Sequence, residues 1–292
     1  MNGVHVPLVT PFTDDGAVDV PSLERLAHHI LDHGAAGLVA LGTTGEAPML
    51  TEAECRTVVE VCRRVSDAYG TPLTVGAGTA GTDDSVRQAK ERAEAADLLL
   101  AVVPYYLRPT DEGVVEHFAA VGAATGVPLV VYNVPYRTGK TLRAETLLAL
   151  LAADHVAGVK HCPGSVDADT LTLLAGSRDV LCGDDAFLYP MLALGAAGGI
   201  AASGNVAPAA FAAMISAVRA GDAERGRSLH RSLLPLTRAL FAEPSPSVIK
   251  AVLARQGLIA RPAVRAPLRA PAADSLDAAM DALAALDAGW TL

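Results

Sequence analysis

Eight short apolar segments recur along this 292-residue chain, and each is followed by a longer stretch with apolar residues at helical spacing. The candidate strands begin near Val4, Gly37, Pro72, Leu98, Pro128, Val156, Val180 and Gly198. Such alternation is typical of a parallel sheet whose strands are joined by helices, and eight units are the number that closes a barrel. The sequence therefore predicts an α/β fold, a (β/α)8 TIM barrel.

The intervals between the strands carry helix signals. Thr51 and Glu54 have the spacing of a capping box before a helix that should run to Tyr69, where Gly70 supplies a stop. Further helices are predicted over residues 85–95, 112–124, 142–151, 169–174, 187–194 and 208–220.

The eight units use the chain to about Gly221, and the remainder of the chain is also helical. Helices are predicted over residues 223–241, 247–256 and 275–286, with a proline-rich irregular segment before the last. This part is too apolar to be a free linker. We therefore predict a catalytic barrel domain in residues 1–222 and a helical extension packed on it in residues 223–292.

Composition excludes several classes of partner. The net charge is −9 and no basic cluster occurs, so nucleic acid is not expected. The sequence shows no signal peptide and no apolar run of about 18 residues, so no membrane association is expected. The four cysteines show neither CxxC pairs nor zinc-ligand spacing, which favours reduced thiols in a cytoplasm. Among them, Cys162 is interpreted as a small buried residue rather than a nucleophile.

Lys160 is the strongest candidate for chemistry. Barrels of this kind place catalytic side chains at the carboxyl ends of strands, and of the four lysines only Lys160 ends a predicted strand, HVAGVK. Lys90 and Lys250 fall in predicted helices and Lys140 in a turn. An ammonium in apolar surroundings loses hydration, which favours the free amine that attacks a carbonyl. The alternative, a lysine paired with an acid for structure, receives less weight.

Other strand ends carry residues that suit a small 2-oxo acid. Tyr132 ends the strand VPLVVYN, and its phenol could move protons. Thr43 and Thr44 lie in GTTGE, whose backbone amides could hold a carboxylate. Arg137 offers a fork for a second carboxylate. Taken singly, a strand-end tyrosine such as Tyr132 is more often a core residue, and Thr43, Thr44 and Tyr106 could equally be ordinary loop residues. Arg137 alone would slightly favour binding a surface acid.

Three further patterns carry little weight. GAGTAG at residues 76–81 matches a dinucleotide fingerprint, but the next strand lacks the acid that this motif requires. GKT at residues 139–141 lacks the upstream glycine of a phosphate-binding loop. His28, His29 and His33 share one helical stretch without a matching acidic set, so no catalytic metal is predicted.

Taken together, the motifs resemble those of the dihydrodipicolinate synthase and N-acetylneuraminate lyase superfamily, specifically its dihydrodipicolinate synthase branch. The likeness spans nearly the whole chain. It rests on PLVTPF, GTTGE, PYYLRP, YNVPYRTG, GVK, GDDA, GNVAP and EPSPSVIK.

The resemblance implies a class I aldolase that needs no external cofactor. Lys160 would condense with pyruvate, and Tyr132, Thr43 and Tyr106 would form a proton relay. Thr44 would bind the carboxylate of pyruvate, Arg137 that of aspartate semialdehyde, and backbone at Gly183 and Ile200 would line the pocket. The tyrosine matching Tyr106 reaches a neighbouring subunit in the family, so a homodimer or homotetramer is implied.

The chain departs from the family at two places. Where the synthases generally have an acid, then Ala, Ser or Thr, then Gly after the lysine, this chain has His161, Cys162, Pro163 and Gly164. The aldehyde substrate therefore stays open. Where lysine-sensitive relatives often carry polar or histidine residues, this chain has Ala47, Pro48, Glu52, Cys55 and Ala80, which predicts weak or absent inhibition by L-lysine.

Other functions remain as alternatives. A second pyruvate-dependent aldolase of the superfamily, acting on a sugar-derived 2-oxo acid, is the runner-up, and GTTGE with Arg137 favours the synthase over it. A non-catalytic binding barrel has no physical need for a desolvated lysine. A dinucleotide-dependent oxidoreductase rests only on GAGTAG.

Overall fold

The structure, a computed structural model, describes residues 1–289. Eight parallel strands form a closed barrel in which each strand lies beside the next along the chain. The strands are β1 Gly3–Pro7, β2 Gly37–Ala40, β3 Leu73–Gly76, β4 Leu98–Val102, β5 Leu129–Asn133, β6 Val156–His161, β7 Val180–Cys182 and β8 Gly198–Ile200. Each observed start lies within one residue of the predicted one, so the (β/α)8 prediction is confirmed.

Helices fill the intervals between the strands and the chain after the barrel. They are α1 Val20–Asp32, α2 Glu52–Tyr69, α3 Thr82–Arg92, α4 Asp111–Ala123, α5 Pro135–Thr138, α6 Ala144–Leu151, α7 Ala168–Gly176, α8 Leu188–Ala193, α9 Pro208–Arg219, α10 Ala223–Leu240, α11 Ser247–Arg255 and α12 Ala273–Gly289. Within residues 1–289, no helix combines the length and the apolar character needed to cross a membrane.

Helix α2 shows how local sequence sets these bounds. The Thr51 hydroxyl accepts the backbone N–H of Glu54, and the Glu54 carboxylate accepts the N–H of Thr51, which is the predicted capping box. The helix ends at Gly70, whose φ of 62° is one that a residue with a Cβ rarely adopts. Helix α3 instead begins three residues before the predicted start, because Asp83 and Asp84 favour its first turn.

The chain divides into two compact units. One comprises Met1–Gly3 and Pro72–Ile200, with strands β3 to β8; the other comprises Val4–Thr71 and the described residues from Ala201 on. In the first unit the strands pair in parallel and carry a core of wholly buried aliphatic residues such as Leu99 and Val131.

In the second unit α10 packs against both α9 and α12, and Leu236 and Leu240 of α10 are wholly buried. The three helices predicted after residue 222 are present within three residues of their expected bounds. The proposed domain boundary at residue 222 stays a prediction. Residues 290–292, which end the predicted extension, lie outside the described residues.

Arg265 ties the segment between α11 and α12 to two loops of the same unit. Its guanidinium pairs with Glu54 and donates to the backbone carbonyls of Met49 and Gly16, both at 2.7 Å. The guanidinium also lies 4.5 Å from the centre of the Phe12 ring. The hydrogen bond from Arg265 lowers the pKa of Glu54 to about 2. An irregular segment of the extension is thereby fixed at its middle.

We expect Arg265→Met to lower the free energy of unfolding at pH 7 by about 1–2 kcal/mol. This value is smaller than the pKa shift of Glu54 alone would give, because the ion pair is partly exposed to solvent. The Glu54 carboxyl has a pKa of about 2 in the folded protein against an ordinary value of 4.5. Its contribution is therefore present above pH 4.5 and is lost as the pH falls through about 2. Urea unfolding at pH 7 and pH 3 measures the difference.

The matched control for this prediction is Arg269→Met, which removes an exposed arginine of the same segment. This control should unfold like the wild type at both pH values. A difference between Arg265→Met and the wild type that stays constant from pH 7 to pH 2 would contradict the assignment of the effect to Glu54.

Candidate active site

Tyr132 and Lys160 lie side by side at the carboxyl ends of β5 and β6. The two residues are partners in the register of these strands, so their side chains project to the same face of the sheet. The Lys160 nitrogen lies 4.3 Å from the centre of the Tyr132 ring. Only 6% of Lys160 and 7% of Tyr132 is exposed. The structure thus brings together the amine and the phenol that the sequence singles out.

Gly183, which follows β7, makes room for the lysine. A Cβ atom on this residue would lie 2.7 Å from Cε of Lys160 and 2.0 Å from Sγ of Cys162. No side chain could be accommodated there without moving one of these two neighbours. Gly183 therefore borders the Lys160 side chain, and its predicted contact with substrate stays a prediction. Ile200, the last residue of β8, is wholly buried.

Asp184 is a residue of this site to which sequence reasoning gives no role. Its carboxylate accepts the backbone N–H of Gly164 at 2.7 Å, which fixes the loop after β6. Burial raises the pKa of Asp184, and the positive charges of Lys160 and Arg137 offset part of that rise. The one signal available in the sequence is its position at a strand end, within GDDA.

Cys162, two residues after Lys160, is not a reactive thiol. The residue is buried, and burial raises the pKa of its thiol far above the ordinary value. A thiol that stays protonated is a poor nucleophile. The structure therefore agrees with the interpretation of Cys162 as a small buried residue.

His161 points away from Lys160, because successive residues of a strand face opposite sides. Desolvation lowers the pKa of His161 to about 4, so the ring is neutral at pH 7. Its Nδ1 lies 3.1 Å from the Asn133 side-chain nitrogen and its Nε2 3.0 Å from the Thr170 hydroxyl. Since the Thr170 hydroxyl donates to Asp167, it accepts from Nε2–H, and Nδ1 accepts from the Asn133 amide.

Arg137 lies in α5, immediately after the strand that carries Tyr132. The guanidinium is exposed and lies 5.1 Å from the centre of the Tyr136 ring. Helix α5 begins at Pro135 and ends at Gly139, whose φ is 70° and whose N–H donates to the Pro135 carbonyl. The backbone that carries Arg137 is therefore held directly after the end of β5.

Tyr106 extends into solvent in this chain. It is 86% exposed and its neighbour Leu107 is 76% exposed. The backbone beneath them is nevertheless fixed: Tyr106 has a φ of 70° and donates its N–H to the Thr138 carbonyl, and Arg108 packs against Gly139. The loop thus holds an aromatic side chain outward, and the structure does not place it beside Lys160.

Thr43 and Thr44 lie in the second unit, in a single 3-10 turn after β2. Thr44 is buried and Thr43 is half-buried. The Thr10 hydroxyl donates to the Gly45 carbonyl at 2.7 Å, and a Cβ on Gly45 would lie 3.1 Å from the Leu8 carbonyl oxygen. The turn is therefore packed tightly against the chain that follows β1.

Lys250 lies in α11, the helix in which the sequence places it, but the sequence does not reveal its surroundings. Lys250 is wholly buried in α11, and its nitrogen donates to the Glu46 carboxylate and to the Thr10 carbonyl, each at 2.7 Å. Burial lowers the pKa of Lys250 to about 8. The helical period gives no sign of this, because the partner is distant in sequence.

Contacts in the described chain account for residues of two of the three patterns that were given little weight. A Cβ on Gly78 of GAGTAG would lie 2.8 Å from the backbone nitrogen of Val102, so close packing against β4 requires glycine there. His28 and Tyr69 contact each other, and Tyr69 donates to Asp32. Within residues 1–289, no three His, Cys, Asp or Glu residues are grouped so that they could hold a metal ion.

Comparison with known proteins gives a consistent result. Residues 1–286 match the model of the dihydrodipicolinate synthetase family. A relative from Moorella thermoacetica named 4-hydroxy-tetrahydrodipicolinate synthase is 41% identical over 266 residues, which cover 89% of this chain and 90% of the relative.

Solved structures agree with the sequence relatives. Dihydrodipicolinate synthase from Thermotoga maritima superposes with a TM-score of 0.94 at 33% identity, covering 98% of this chain and 99% of the other. A monomeric dihydrodipicolinate synthase variant superposes with a TM-score of 0.94 at 32% identity, covering 98% and 97%. The chain therefore belongs to the dihydrodipicolinate synthetase family and is a pyruvate-dependent lyase of the class I aldolase type.

Proposed function

We propose that this chain is a 4-hydroxy-tetrahydrodipicolinate synthase, which condenses pyruvate with L-aspartate 4-semialdehyde through a Schiff base on Lys160. The observation that carries the proposal is the buried amine of Lys160 beside the ring of Tyr132 at the ends of β5 and β6. The names of the relatives support the choice of substrates.

Lys160 supplies the nucleophile. Its free amine attacks the C2 carbonyl of pyruvate, and loss of water gives an imine. The imine withdraws electrons, so a methyl proton leaves and an enamine forms. The enamine carbon attacks the aldehyde of the second substrate, whose own amine then attacks the imine carbon. Closure of the ring releases Lys160 unchanged, so no external cofactor takes part.

Tyr132 is proposed to move protons to and from the carbinolamine, with Thr43 and the Tyr106 of a neighbouring subunit completing the relay. Support for Tyr132 comes from its position beside Lys160. A positioned proton donor contributes about 10²–10⁴-fold to such steps.

Two residues are proposed to bind the carboxylates of the two substrates. Thr44 would hold the carboxylate of pyruvate at the turn after β2, and Arg137 would hold that of the aldehyde substrate by a bidentate contact. Backbone at Gly183 and Ile200 would line the pocket. The exposed guanidinium of Arg137 supports its part, since it lies directly after the strand of Tyr132.

We expect borohydride reduction in the presence of pyruvate to give a stable adduct on Lys160, because the reduced imine cannot hydrolyse. Peptide mass spectrometry locates the modified lysine. Lys160→Ala should give no adduct and no condensation of pyruvate with aspartate semialdehyde, whereas Lys90→Ala, which removes an exposed lysine of α3, should behave as the wild type.

Two results would overturn the proposal. Folded wild-type protein that forms no adduct with pyruvate would exclude the Schiff-base mechanism. Protein that forms the adduct but condenses pyruvate only with sugar aldehydes would assign the chain to another aldolase of the superfamily.

A dimer that exchanges the Tyr106 loops is also proposed. Two large side chains at the loop tip are exposed while the backbone beneath them is held in place. Burying such side chains against a partner stabilises association by roughly 1.5–3 kcal/mol each. A pair of these dimers would form a tetramer.

Leu107→Asp should convert the protein to a monomer and lower kcat by at least about tenfold, since a charge at the tip opposes burial and removes the partner's Tyr106 from each site. Sedimentation velocity and steady-state assays measure the two effects. Leu171→Asp on α7 is the matched control, because Leu171 is also exposed. Wild-type protein that is fully active as a monomer would refute the exchange.

L-lysine is expected to inhibit weakly or not at all, because Ala47, Pro48, the buried Cys55 and Ala80 stand where lysine-sensitive relatives often carry polar residues. An activity titration with millimolar L-lysine tests this expectation. Strong inhibition at low lysine concentrations would contradict it. A cytoplasmic setting is proposed as well, supported by the four cysteines, all of which are free.

A further inference from the structure

Lys250 and Glu46 form an ion pair that is wholly buried on both sides. The two residues are far apart in sequence, one in α11 and one directly after the turn that carries Thr43 and Thr44. Burying two charges costs free energy that their attraction does not always recover, so such a pair is weak evidence for stability alone. The pair lies beside the turn that carries Thr43 and Thr44, and it can therefore act on the position of these two residues.

Glu46 is the pivot of the turn. Its backbone is left-handed, with φ 57° and ψ 29°, which is unfavourable for a residue with a side chain. Its N–H donates to the Thr43 carbonyl, and its own carbonyl accepts the N–H of Met49. One 3-10 turn ends at Glu46 and the next begins there. Whatever fixes Glu46 therefore fixes the backbone of the preceding two threonines.

The Glu46 carboxylate is held from two sides. One oxygen accepts from the Lys250 nitrogen at 2.7 Å, and the other accepts the backbone N–H of Arg265 at 2.8 Å. Lys250 also donates to the Thr10 carbonyl at 2.7 Å and lies 4.1 Å from the centre of the Phe12 ring. A single ammonium thus joins α11, the chain after β1 and the turn after β2.

Thr10 strengthens the same connection. Its carbonyl accepts from Lys250, while its hydroxyl donates to the carbonyl of Gly45. The turn is consequently held at two successive residues, at Gly45 through Thr10 and at Glu46 through its own carboxylate. Both restraints lead to the nitrogen of Lys250.

We propose that Lys250 is a positioning residue for pyruvate: through Glu46 and Thr10 it holds the turn of Thr43 and Thr44 in the geometry that binds the substrate carboxylate. This inference rests on the proposed function, in which that turn receives pyruvate. It predicts a loss of pyruvate affinity with little effect on kcat, because pyruvate bound at saturating concentration restores the turn and with it the position of Thr43.

The test uses the double variant Glu46→Gln with Lys250→Met, which removes both charges and leaves no unpaired buried ion. The side-chain amide introduced by Glu46→Gln keeps a carbonyl oxygen that can still accept the N–H of Arg265. We expect the pyruvate concentration for half-maximal borohydride trapping, and the KM for pyruvate, to rise about tenfold. The value of kcat at saturating pyruvate should stay within about twofold. Lys90→Met is the control lysine variant and should match the wild type.

A pH series tests whether the positive charge of Lys250 is what holds the turn. Desolvation is the main cause that lowers the pKa of Lys250 to about 8; Glu46 raises this pKa and Arg265 lowers it. Above pH 8 Lys250 of the wild type becomes neutral, so the wild type loses a positive charge that the double variant lacks at every pH. The ratio of the variant's pyruvate KM to that of the wild type should therefore shrink towards one between pH 7 and pH 9.5.

The outcomes are distinguishable. A wild type that traps no pyruvate defeats the proposed function itself. If the wild type traps pyruvate and the folded double variant has an unchanged KM, or loses kcat instead, the role of Lys250 is refuted. Should the double variant not fold, Glu46→Gln alone carries the same prediction with a rise of about threefold, and an unchanged KM there refutes it equally.

Discussion

Tyr132 and Lys160 meet because β5 and β6 run parallel with these two residues as register partners. Gly183 borders the lysine that this pairing places, and the charge of Asp184 interacts with it. A shift of one residue would turn either side chain to the opposite face and would bring His161 or Asn133 into its place. The pairing of Asn133 with His161, one position further along, is joined by a side-chain hydrogen bond. The register is thus fixed on both faces of the sheet.

The chain buries two lysines, and it supports them in different ways. Lys160 lies against an aromatic face and beside Gly183, with Asp184 near enough for their charges to interact. Lys250 has a direct carboxylate partner and a backbone carbonyl. In the roles proposed for them, Lys160 needs an amine that is free to attack a carbonyl, whereas Lys250 needs one that is held in a short ion pair. Burial alone would not have separated these two roles.

The fold is largely predictable because its signals are local. Strand starts follow from apolar runs bounded by Gly and Pro, and α2 follows from the capping box at Thr51 and the stop at Gly70. The candidates Lys160 and Tyr132 can be found because a strand end is a local feature. Glu46 and Lys250 are separated by about two hundred residues, and no periodicity in either segment specifies that they meet. The role of Gly183 also depends on a contact between neighbouring strands.

The segment after Lys160 is one of two places where a departure from the family pattern is expected from the sequence, and the structure shows how that segment is held. His161 is buried on the face of β6 opposite Lys160, where it contacts Asn133 and Thr170. Its ring is neutral at pH 7 because desolvation lowers its pKa to about 4, so it adds no charge beside the amine. The loop after β6 is fixed through Gly164 by Asp184, a residue whose charge interacts with that of Lys160. Where the resemblance implies an acid, His161 therefore lies on the face of β6 opposite Lys160. The charges of Lys160 and Arg137 both act on the Asp184 carboxyl, which makes Asp184 and Arg137 the residues to vary first when the choice of aldehyde is studied.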